Sequence, residues 1–185
     1  MSGAGKSTVS RLMEACGFTV IDCDTCAREV AAAGSPFLAE LSQRFSGEII
    51  NSDGSLNRRK TADIIFAGAE SRHLYNRIIY PYITYNVIEK IYRCGGDVLI
   101  DAPTLFEARL EGICSEIVSV CADIDVCIRR IMQRDNLSQE RAAARLSAQH
   151  TADFFRRHSD ICIENNGTQQ QLEQAAKAAA EQLKR

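Results

Sequence analysis

The segment Gly3-Ala-Gly-Lys-Ser-Thr8 decides the fold, because it has the form of a loop that wraps around a phosphate chain. It matches the second half of the pattern G-x-x-x-x-G-K-[ST], in which glycines let backbone N–H groups turn toward phosphate. The next residues are predicted to form a helix that Gly17 ends, and the N-terminus of such a helix attracts anions. The predicted nucleotide-binding residues are Gly3, Ala4, Gly5, Lys6, Ser7 and Thr8.

Each polar side chain of this loop has an expected task. The Lys6 ammonium is expected to bridge the β and γ phosphates, the Ser7 hydroxyl to ligate Mg²⁺, and Thr8 to help hold the α phosphate. The loop therefore predicts ATP and Mg²⁺ as cofactors. A chance match in front of a helix is the alternative, and the strand expected just downstream of that helix argues against it.

Short apolar runs alternate with longer amphipathic stretches along the chain. The runs at 18–21, 97–100, 116–121 and 160–163 are continuous, which favours strands of a parallel sheet buried on both faces. Strand and helix alternation predicts an α/β fold, here a three-layer sandwich of the P-loop NTPase type. Ser35-Pro36 and the Thr168-x-x-Gln171 capping box mark two further helix starts.

Uneven spacing between the predicted strands indicates two insertions. The first, about 25–95, contains a turn at Asp53-Gly54 and helical patterns at 58–67 and 71–93. The second, about 129–158, is rich in Arg and Gln. We expect one domain over residues 1–185, with a small helical lobe formed by the first insertion.

Composition excludes several function classes. Hydrophobic residues make up 45% and charged residues 25%, with a net charge of −2, so disorder and a general nucleic-acid coat are disfavoured. We find no apolar run long enough to cross a bilayer and no signal-peptide pattern, which predicts a cytoplasmic protein with no membrane partner. The sequence leaves the oligomeric state open.

Six of the eight cysteines lie singly in apolar segments and are expected to be small buried thiols in a reducing compartment, namely Cys16, Cys94, Cys114, Cys121, Cys127 and Cys162. Cys23 and Cys26 have C-x-x-C spacing, but the two further ligands of a zinc site are not evident. Incidental spacing is the preferred interpretation, and a redox pair is the alternative.

Four segments, in order along nearly the whole chain, resemble the dephospho-coenzyme A kinases. They are Val20-Ile-Asp-Cys-Asp-Thr-Cys-Ala-Arg28, Asp53-Gly-Ser-Leu-Asn-Arg58 with Ile65-Phe66, Leu99-Ile-Asp-Ala-Pro-Thr-Leu-Phe-Glu107, and the stretch from Arg130 to Asn165. Each segment is weak alone, and together with the phosphate loop they are specific. The resemblance implies transfer of the γ-phosphoryl of ATP to the ribose 3′-hydroxyl of dephospho-CoA, the last step of coenzyme A biosynthesis.

The resemblance also implies roles for individual residues. Asp24 would accept the proton of the acceptor hydroxyl, Arg134 would stabilise the transferring phosphoryl group, and Lys6 completes the catalytic set. The residues expected at the acceptor are Asp24, Arg58, Asp101, Pro103, Phe106 and Glu107.

Several of these positions keep a second interpretation. Asp22 and Asp24 both come after the strand predicted at 18–21. Asp22 could simply cap the next helix. Asp101 ends a predicted strand, where an acid could hold Mg²⁺ through water, position the acceptor, or only end the strand. Arg130 and Arg145 could contact phosphate or lie on a solvated basic helix face.

The chain departs from the family pattern at several positions. Tyr80 stands where His is usual before Pro81, Thr104 stands where Leu is usual, and Phe45-Ser46-Gly47 carries an extra residue. Two alternatives remain. One is another P-loop nucleotide or metabolite kinase, against which the Asp22-Cys-Asp24 and Asp101–Glu107 segments argue, and the other is a P-loop protein that binds nucleotide without catalysis, which the missing first strand and first glycine of the loop motivate.

The most serious departure is an absence: the sequence lacks the first glycine of the loop pattern and the strand that should lead into the loop. Without that strand, the neighbouring strands would leave backbone groups unpaired, at about 1–3 kcal/mol for each buried group. We therefore expect a protein that starts further upstream, with roughly eight to ten residues, an apolar run followed by x-T-G-x, before Ser2.

We predict that a chain extended by such a segment melts at a higher temperature and phosphorylates dephospho-CoA faster than the 185-residue chain. The physical reason is the pairing of backbone groups in the middle of the sheet. Upstream codons, thermal melting and ATP-dependent CoA formation provide the test. A short chain as stable and as active as every extended form would contradict the expectation.

Overall fold

A computed structural model describes residues 1–45 and 49–184, apart from the side chain of Phe66. The extra residue expected in Phe45-Ser46-Gly47 lies outside the described residues. The described part of the chain divides into two compact units. The first unit comprises Met1–Val20, Gly96–Pro103 and Glu111–Arg185, and the second comprises Ile21–Gly95 and Thr104–Leu110.

Helices and short strands alternate along the described chain, as the sequence predicts. Their bounds are α1 Lys6–Ala15, β1 Thr19–Asp22, α2 Cys23–Val30, α3 Pro36–Arg44, α4 Arg58–Ala67, α5 Ala69–Arg93, β2 Val98–Asp101, a 3₁₀ turn Leu110–Ile113, β3 Val118–Cys121, α6 Ile124–Asp135, α7 Gln139–Ser147, α8 Ala152–Arg157, β4 Ile161–Glu164 and α9 Gln169–Leu183.

The strands are close to their predicted positions, and three of them lie one residue further along. β1, β2 and β4 each include the acidic residue that follows the apolar run, namely Asp22, Asp101 and Glu164. The backbone ladder therefore continues to the acid, and the acid lies at the carboxyl end of its strand. This is the end of an α/β sheet at which ligands bind.

The strands form two hydrogen-bonded pairs among the described residues, β1 with β2 and β3 with β4. β3 and β4 are parallel, with Val118 opposite Ile161 and Cys121 opposite Glu164. Burial on both faces, which the sequence predicts, is incomplete, since Asp22 and Glu164 are exposed and every residue of β2 is half-buried. A strand in a two-stranded pair has a neighbour on one side only, so it is less covered than a central strand.

Helices α1, α6 and α9 pack with β3 and β4 around the core of the first unit. Met13, Cys127 and Ile131 are fully buried there, and Ala176 of α9 lies in the same cluster. The alanines of α9 let it pack closely against α1. Apolar burial of this kind is the main stabilising contribution to the unit.

Local sequence signals set the helix ends of the first unit. Gly17 has a φ of +95°, and its N–H donates to the Glu14 carbonyl while the Phe18 N–H donates to Met13. These two bonds form a Schellman motif, which ends α1 where the sequence predicts. Thr168 and Gln171 form the predicted capping box at the start of α9.

Helices α2, α3, α4 and α5 make up most of the second unit. Phe37 is fully buried in it and meets the rings of Tyr75 and Tyr82 edge to face, at centroid distances of 6.1 and 5.8 Å. Ser35 caps α3 as predicted, by accepting a hydrogen bond from the Leu38 N–H. The tyrosines of α5 have different environments: Tyr75 and Tyr82 pack against the core, whereas Tyr85 and Tyr92 are exposed.

The turn predicted at Asp53-Gly54 is present. Asp53 accepts hydrogen bonds from the Ser55 backbone N–H and hydroxyl at 2.9 and 2.6 Å, and Gly54 has a φ of +79°. The turn returns the chain to a bridge between Ile50 and Leu56, ahead of α4. Both helices predicted in this insertion are also observed, as α4 and α5.

The expected burial of the cysteines is confirmed for Cys121 and Cys127 and is wrong for four others, which are half-buried: Cys16, Cys94, Cys114 and Cys162. None of the cysteines in the described ranges takes part in a disulfide. Burial raises the pKa of the Cys26 thiol, which is the opposite of what a redox-active cysteine needs. No helix within the described residues combines the length and the apolar character needed to cross a membrane.

Candidate active site

The loop before α1 has the backbone shape that phosphate binding requires. Gly3 and Gly5 have φ values of +74° and +104°, a region that favours glycine. A Cβ at Gly3 would lie 2.7 Å from the Cys127 carbonyl oxygen, and one at Gly5 would lie 2.5 Å from Nδ2 of Asn165. Both positions therefore need glycine, for conformation and for space.

Asn165 and Arg130 hold this loop from the other side. The buried Asn165 amide donates to the Ala4 carbonyl at 2.7 Å, and its backbone N–H donates to Cys121 at 2.8 Å. The Arg130 guanidinium donates to the carbonyls of Gly3 and Asn165 at 3.4 and 3.2 Å. Because these partners take the inward carbonyls, the loop stays in a conformation that leaves its N–H groups for a ligand.

Lys6 and Asp101 form an ion pair at the mouth of the loop. The other carboxylate oxygen of Asp101 accepts a hydrogen bond from the Ser10 hydroxyl at 2.6 Å. Ser10 lies one helical turn after Lys6, and its side chain is buried. The acid at the end of β2 thus orients the ammonium group expected on the phosphates, and a bound nucleotide would compete with Asp101 for Lys6.

The first turn of α1 lies beside an open cleft of about 330 Å³. Thr8 and Arg130 line it together with Asn165 and Leu172. Ser7 is exposed next to Thr8, so its hydroxyl is accessible to a ligand. Hydroxyl and carboxylate oxygens are the ligands that Mg²⁺ prefers, so Ser7 and Asp101 fit the ion that accompanies ATP.

Arg134 lies one turn after Arg130 on α6, but its contacts differ. Its Nε and one terminal nitrogen donate to the two carboxylate oxygens of Asp135, both at 2.8 Å. Arg145 of α7 donates to the same carboxylate at 2.8 Å. The Arg134 hydrogen bonds hold the pKa of the Asp135 carboxyl below its usual range. Arg130 is therefore the arginine at the loop, and Arg134 and Arg145 share Asp135.

In the second unit, Asp22 acts as a helix cap. Its carboxylate accepts hydrogen bonds from the Asp24 N–H at 2.8 Å and the Thr25 hydroxyl at 3.0 Å. These bonds, acting against burial, lower the pKa of Asp22. Because β1 ends at Asp22, the two acids do not share the face of one strand, and Asp24 projects from the first turn of α2 with an exposed side chain.

Two departures from the family pattern meet in the second unit. The Tyr80 side chain is hydrogen-bonded to Thr104. Burial raises the pKa of Tyr80, and the nearby Glu107 carboxylate raises it further, against the lowering effect of Thr104. Tyr80 therefore stays protonated at neutral pH and cannot accept a proton there as a histidine would.

The remaining expected acceptor residues are Arg58, Phe106 and Glu107 in the second unit and Pro103, which follows β2 in the first unit. Arg58 is the first residue of α4 and is exposed, next to its N-cap Asn57. Phe106 is half-buried and Glu107 is exposed, in the segment that begins at Thr104. Pro103 is exposed and follows Asp101 in the first unit.

Sequence reasoning did not assign functional roles to Ser10 and Asn165, which position other residues of the site. Ser10 could be found from its spacing, because a residue four after Lys6 lies on the same face of α1. Asn165 could be found as a polar residue at the end of a strand, since a buried amide needs partners. Its actual partner, the Ala4 carbonyl, is 161 residues away, so the sequence offers no signal for it.

Comparisons with known proteins agree with this geometry. The sequence model of the family described as dephospho-CoA kinase matches residues 2–171. Dephospho-CoA kinases of Enterococcus faecalis and Staphylococcus aureus are 33% and 38% identical to the chain. The first alignment covers 94% of this chain and 88% of the relative, and the second covers 92% and 84%.

Solved structures show the same fold. A crystal structure from Thermus thermophilus superposes with a TM-score of 0.82 at 31% identity, covering 98% of this chain and 93% of that one. A dephospho-CoA kinase from Campylobacter jejuni gives a TM-score of 0.70 at 22% identity, with coverage of 97% and 91%.

A phosphate loop with two glycines of positive φ, followed by a helix that carries Lys6 and Ser7, is the nucleotide-binding loop of the P-loop proteins. With the family match over most of its length, the chain belongs to the dephospho-CoA kinase family.

Proposed function

We propose that this chain transfers the γ-phosphoryl group of ATP to the ribose 3′-hydroxyl of dephospho-CoA, giving CoA and ADP. The observation that carries the proposal is the loop at Gly3–Gly5, held by Asn165 and Arg130, with Lys6 and Asp101 paired at its mouth. The family match supports dephospho-CoA as the acceptor.

The donor side of the reaction uses the backbone of the loop. N–H groups from the loop and the first turn of α1 would cradle the phosphates, and Lys6 would leave Asp101 to contact the β and γ phosphates. Ser7, and Asp101 through water, are the residues we assign to Mg²⁺, which when bound neutralises charge on these phosphates. Arg130 keeps the loop in place and lines the cleft beside it.

On the acceptor side, Asp24 is the base we propose. Its carboxylate would accept the proton of the 3′-hydroxyl as the oxygen forms its bond to the γ phosphorus and the bond to the bridging oxygen of ADP breaks. The exposed position of Asp24 on the first turn of α2 leaves it accessible to a substrate. Tyr80 supplies no base, because it remains protonated.

Substrate recognition and the lid complete the proposal. Arg58, Pro103, Phe106 and Glu107 are proposed to contact dephospho-CoA, with the helical insertion 25–95 as the acceptor lobe. The segment 129–158 is proposed as the lid that brings Arg134 to the transferring phosphoryl group. Thiols without disulfides suit the reducing cytoplasm, where we propose that the enzyme works.

An acceptor panel tests the assigned activity directly. Purified chain, ATP and Mg²⁺ are incubated with dephospho-CoA, AMP, adenosine or no acceptor, and ADP and the phosphorylated product are quantified. We expect ADP release to require dephospho-CoA and to match CoA formation one to one. Equal turnover with a simple nucleoside would overturn the acceptor assignment, and ADP release that no acceptor stimulates would overturn the kinase assignment.

Replacing Lys6 by Ala should abolish most turnover. The loss of a cation aimed at the transferring phosphoryl is worth several kcal/mol of transition-state stabilisation, a fall of about two orders of magnitude or more in kcat. Lys177→Ala, an exposed lysine on α9, is the matched control. CoA formation by the Lys6 variant at the parent rate, with the fold intact by circular dichroism, would contradict the assignment.

Replacing Asp24 by Asn keeps the shape of the side chain but removes its ability to take a proton. We expect kcat to fall by roughly two to four orders of magnitude while ATP affinity changes little. Asp125→Asn alters another acid in the first turn of a helix and serves as the control. If the Asp24→Asn variant lost only thermal stability and kept its kcat, Asp24 would have a structural role.

Replacing Arg134 by Ala should lower kcat, and Lys at this position should restore little of it. A planar guanidinium matches phosphate oxygens in a way that a single ammonium does not. Arg129→Ala on the same helix is the control, and thermal melting measures the cost of losing the Asp135 contact. Full rescue by Lys would exclude a bidentate phosphate contact.

A further inference from the structure

A group of soft and hard metal-binding atoms lies on the sheet face opposite the core of the first unit. Cys121 ends β3, and Cys162 and Glu164 belong to β4. The two sulfurs and one Glu164 oxygen all lie within 4.8 Å of one another. Among the described residues, this is the one group of three or more such side chains close enough to share an ion.

The strand register explains why these three side chains converge. In the parallel pair, Cys121 lies directly opposite Glu164, and Cys162 lies two residues before Glu164 on the same strand. Side chains two apart point to the same face of a strand. Val120 and Ile163 point to the other face, into the core, so the thiols and the carboxylate share the face next to α8.

The strand register disfavours a disulfide between Cys121 and Cys162. Because Cys121 is displaced by two residues from the register position of Cys162, strand geometry separates their Cα atoms by about 8 Å. Disulfides rarely span more than about 7 Å between Cα atoms. Two sulfurs that approach without reaching bonding geometry can still bind one cation between them.

The dimensions suit a tetrahedral ion. Zn–S bonds of about 2.3 Å place two sulfur ligands roughly 3.8 Å apart, and a carboxylate oxygen completes a third position at about 2.0–2.2 Å. The observed separations need to shrink by about 1 Å at most, which small side-chain rotations achieve. Glu164 is exposed, so a solvent molecule can supply the fourth ligand and an ion can enter from that side.

A metal ion at this position would meet two competitors, the proton of the Cys121 thiol and the Arg156 guanidinium on Glu164. Burial, with the neighbouring Cys162 thiol, raises the pKa of Cys121 to about 11. The Cys162 thiol donates weakly to Glu164 at 3.8 Å, and the Arg156 guanidinium of α8 contacts the same carboxylate oxygen at 2.7 Å. A metal ion would therefore displace thiol protons and compete with Arg156 for Glu164.

We propose that Cys121, Cys162 and Glu164 form a binding site for a thiophilic divalent cation, represented by Zn²⁺, and that Arg156 is its built-in competitor. Two thiolates select soft or borderline ions over Mg²⁺ and Ca²⁺, which prefer oxygen ligands. The site is distinct from the phosphate loop, whose Mg²⁺ ligands are oxygens. The proposal does not depend on the proposed activity.

The test is direct metal binding to the intact chain, after chelator treatment and with a thiol-free reductant. Co²⁺ serves as the spectroscopic probe, since thiolate ligands give intense near-ultraviolet charge-transfer absorption, and Zn²⁺ displacement of Co²⁺ then gives the zinc affinity. We expect one equivalent to bind with thiolate absorption that Zn²⁺ removes and excess Mg²⁺ does not.

Variants separate this site from adventitious thiol binding. Cys162→Ser and Glu164→Gln should each weaken binding by about tenfold or more. Cys94→Ser, which alters a half-buried thiol in the other unit, should leave the affinity unchanged. Cys162 is half-buried and Glu164 is exposed, so these substitutions avoid the folding defect that a change at the fully buried Cys121 risks.

Arg156→Gln is the most discriminating variant, because it removes the positive charge that pairs with the Glu164 carboxylate. We expect this variant to bind Co²⁺ and Zn²⁺ several-fold more tightly than the parent. Binding that is unaffected by Cys162→Ser, or that Arg156→Gln leaves unchanged or weakens, would overturn the proposal and make the cluster a polar contact that Arg156 stabilises.

Discussion

The hydrogen bond from the Asn165 amide to the Ala4 carbonyl is the contact on which the nucleotide side of this protein depends. A loop that points its N–H groups at a ligand must turn its carbonyls inward, where each needs a donor. Asn165 supplies that donor from the end of β4 and Arg130 supplies another from α6. The same closeness forbids a side chain at Gly5, so one contact explains both the buried amide and the glycine.

Several cations of the first unit are paired with carboxylates. Lys6 is held by Asp101, which Ser10 orients in turn, and Arg134 and Arg145 share Asp135. In the reaction proposed above, Lys6 and Arg134 would exchange these carboxylates for phosphate oxygens when ATP binds.

The second unit combines a family pattern with local substitutions that fit each other. Tyr80 and Thr104 both depart from the usual residues, and their side chains are joined by a hydrogen bond. The pair replaces a titratable histidine by a phenol that remains protonated at neutral pH. Asp22 has a structural role in the same unit. It caps α2, and Asp24 remains exposed on the first turn of that helix.

The sequence by itself determined what depends on neighbouring residues. The phosphate-loop motif is a contiguous pattern of residues, and the end of α1 at Gly17, the cap of α3 at Ser35 and the capping box at Thr168 rest on contacts within a few positions of the chain. The resemblance of the sequence to dephospho-CoA kinases over most of its length also indicated the family. Tertiary structure decided the rest: which arginine supports the loop, which residue orients Asp101, and which thiols share a face with Glu164. Apart from Cys162 and Glu164, which lie two residues apart on β4, these contacts join residues 35 to 127 positions apart. Strand register and helix packing, rather than local pattern, bring such residues together.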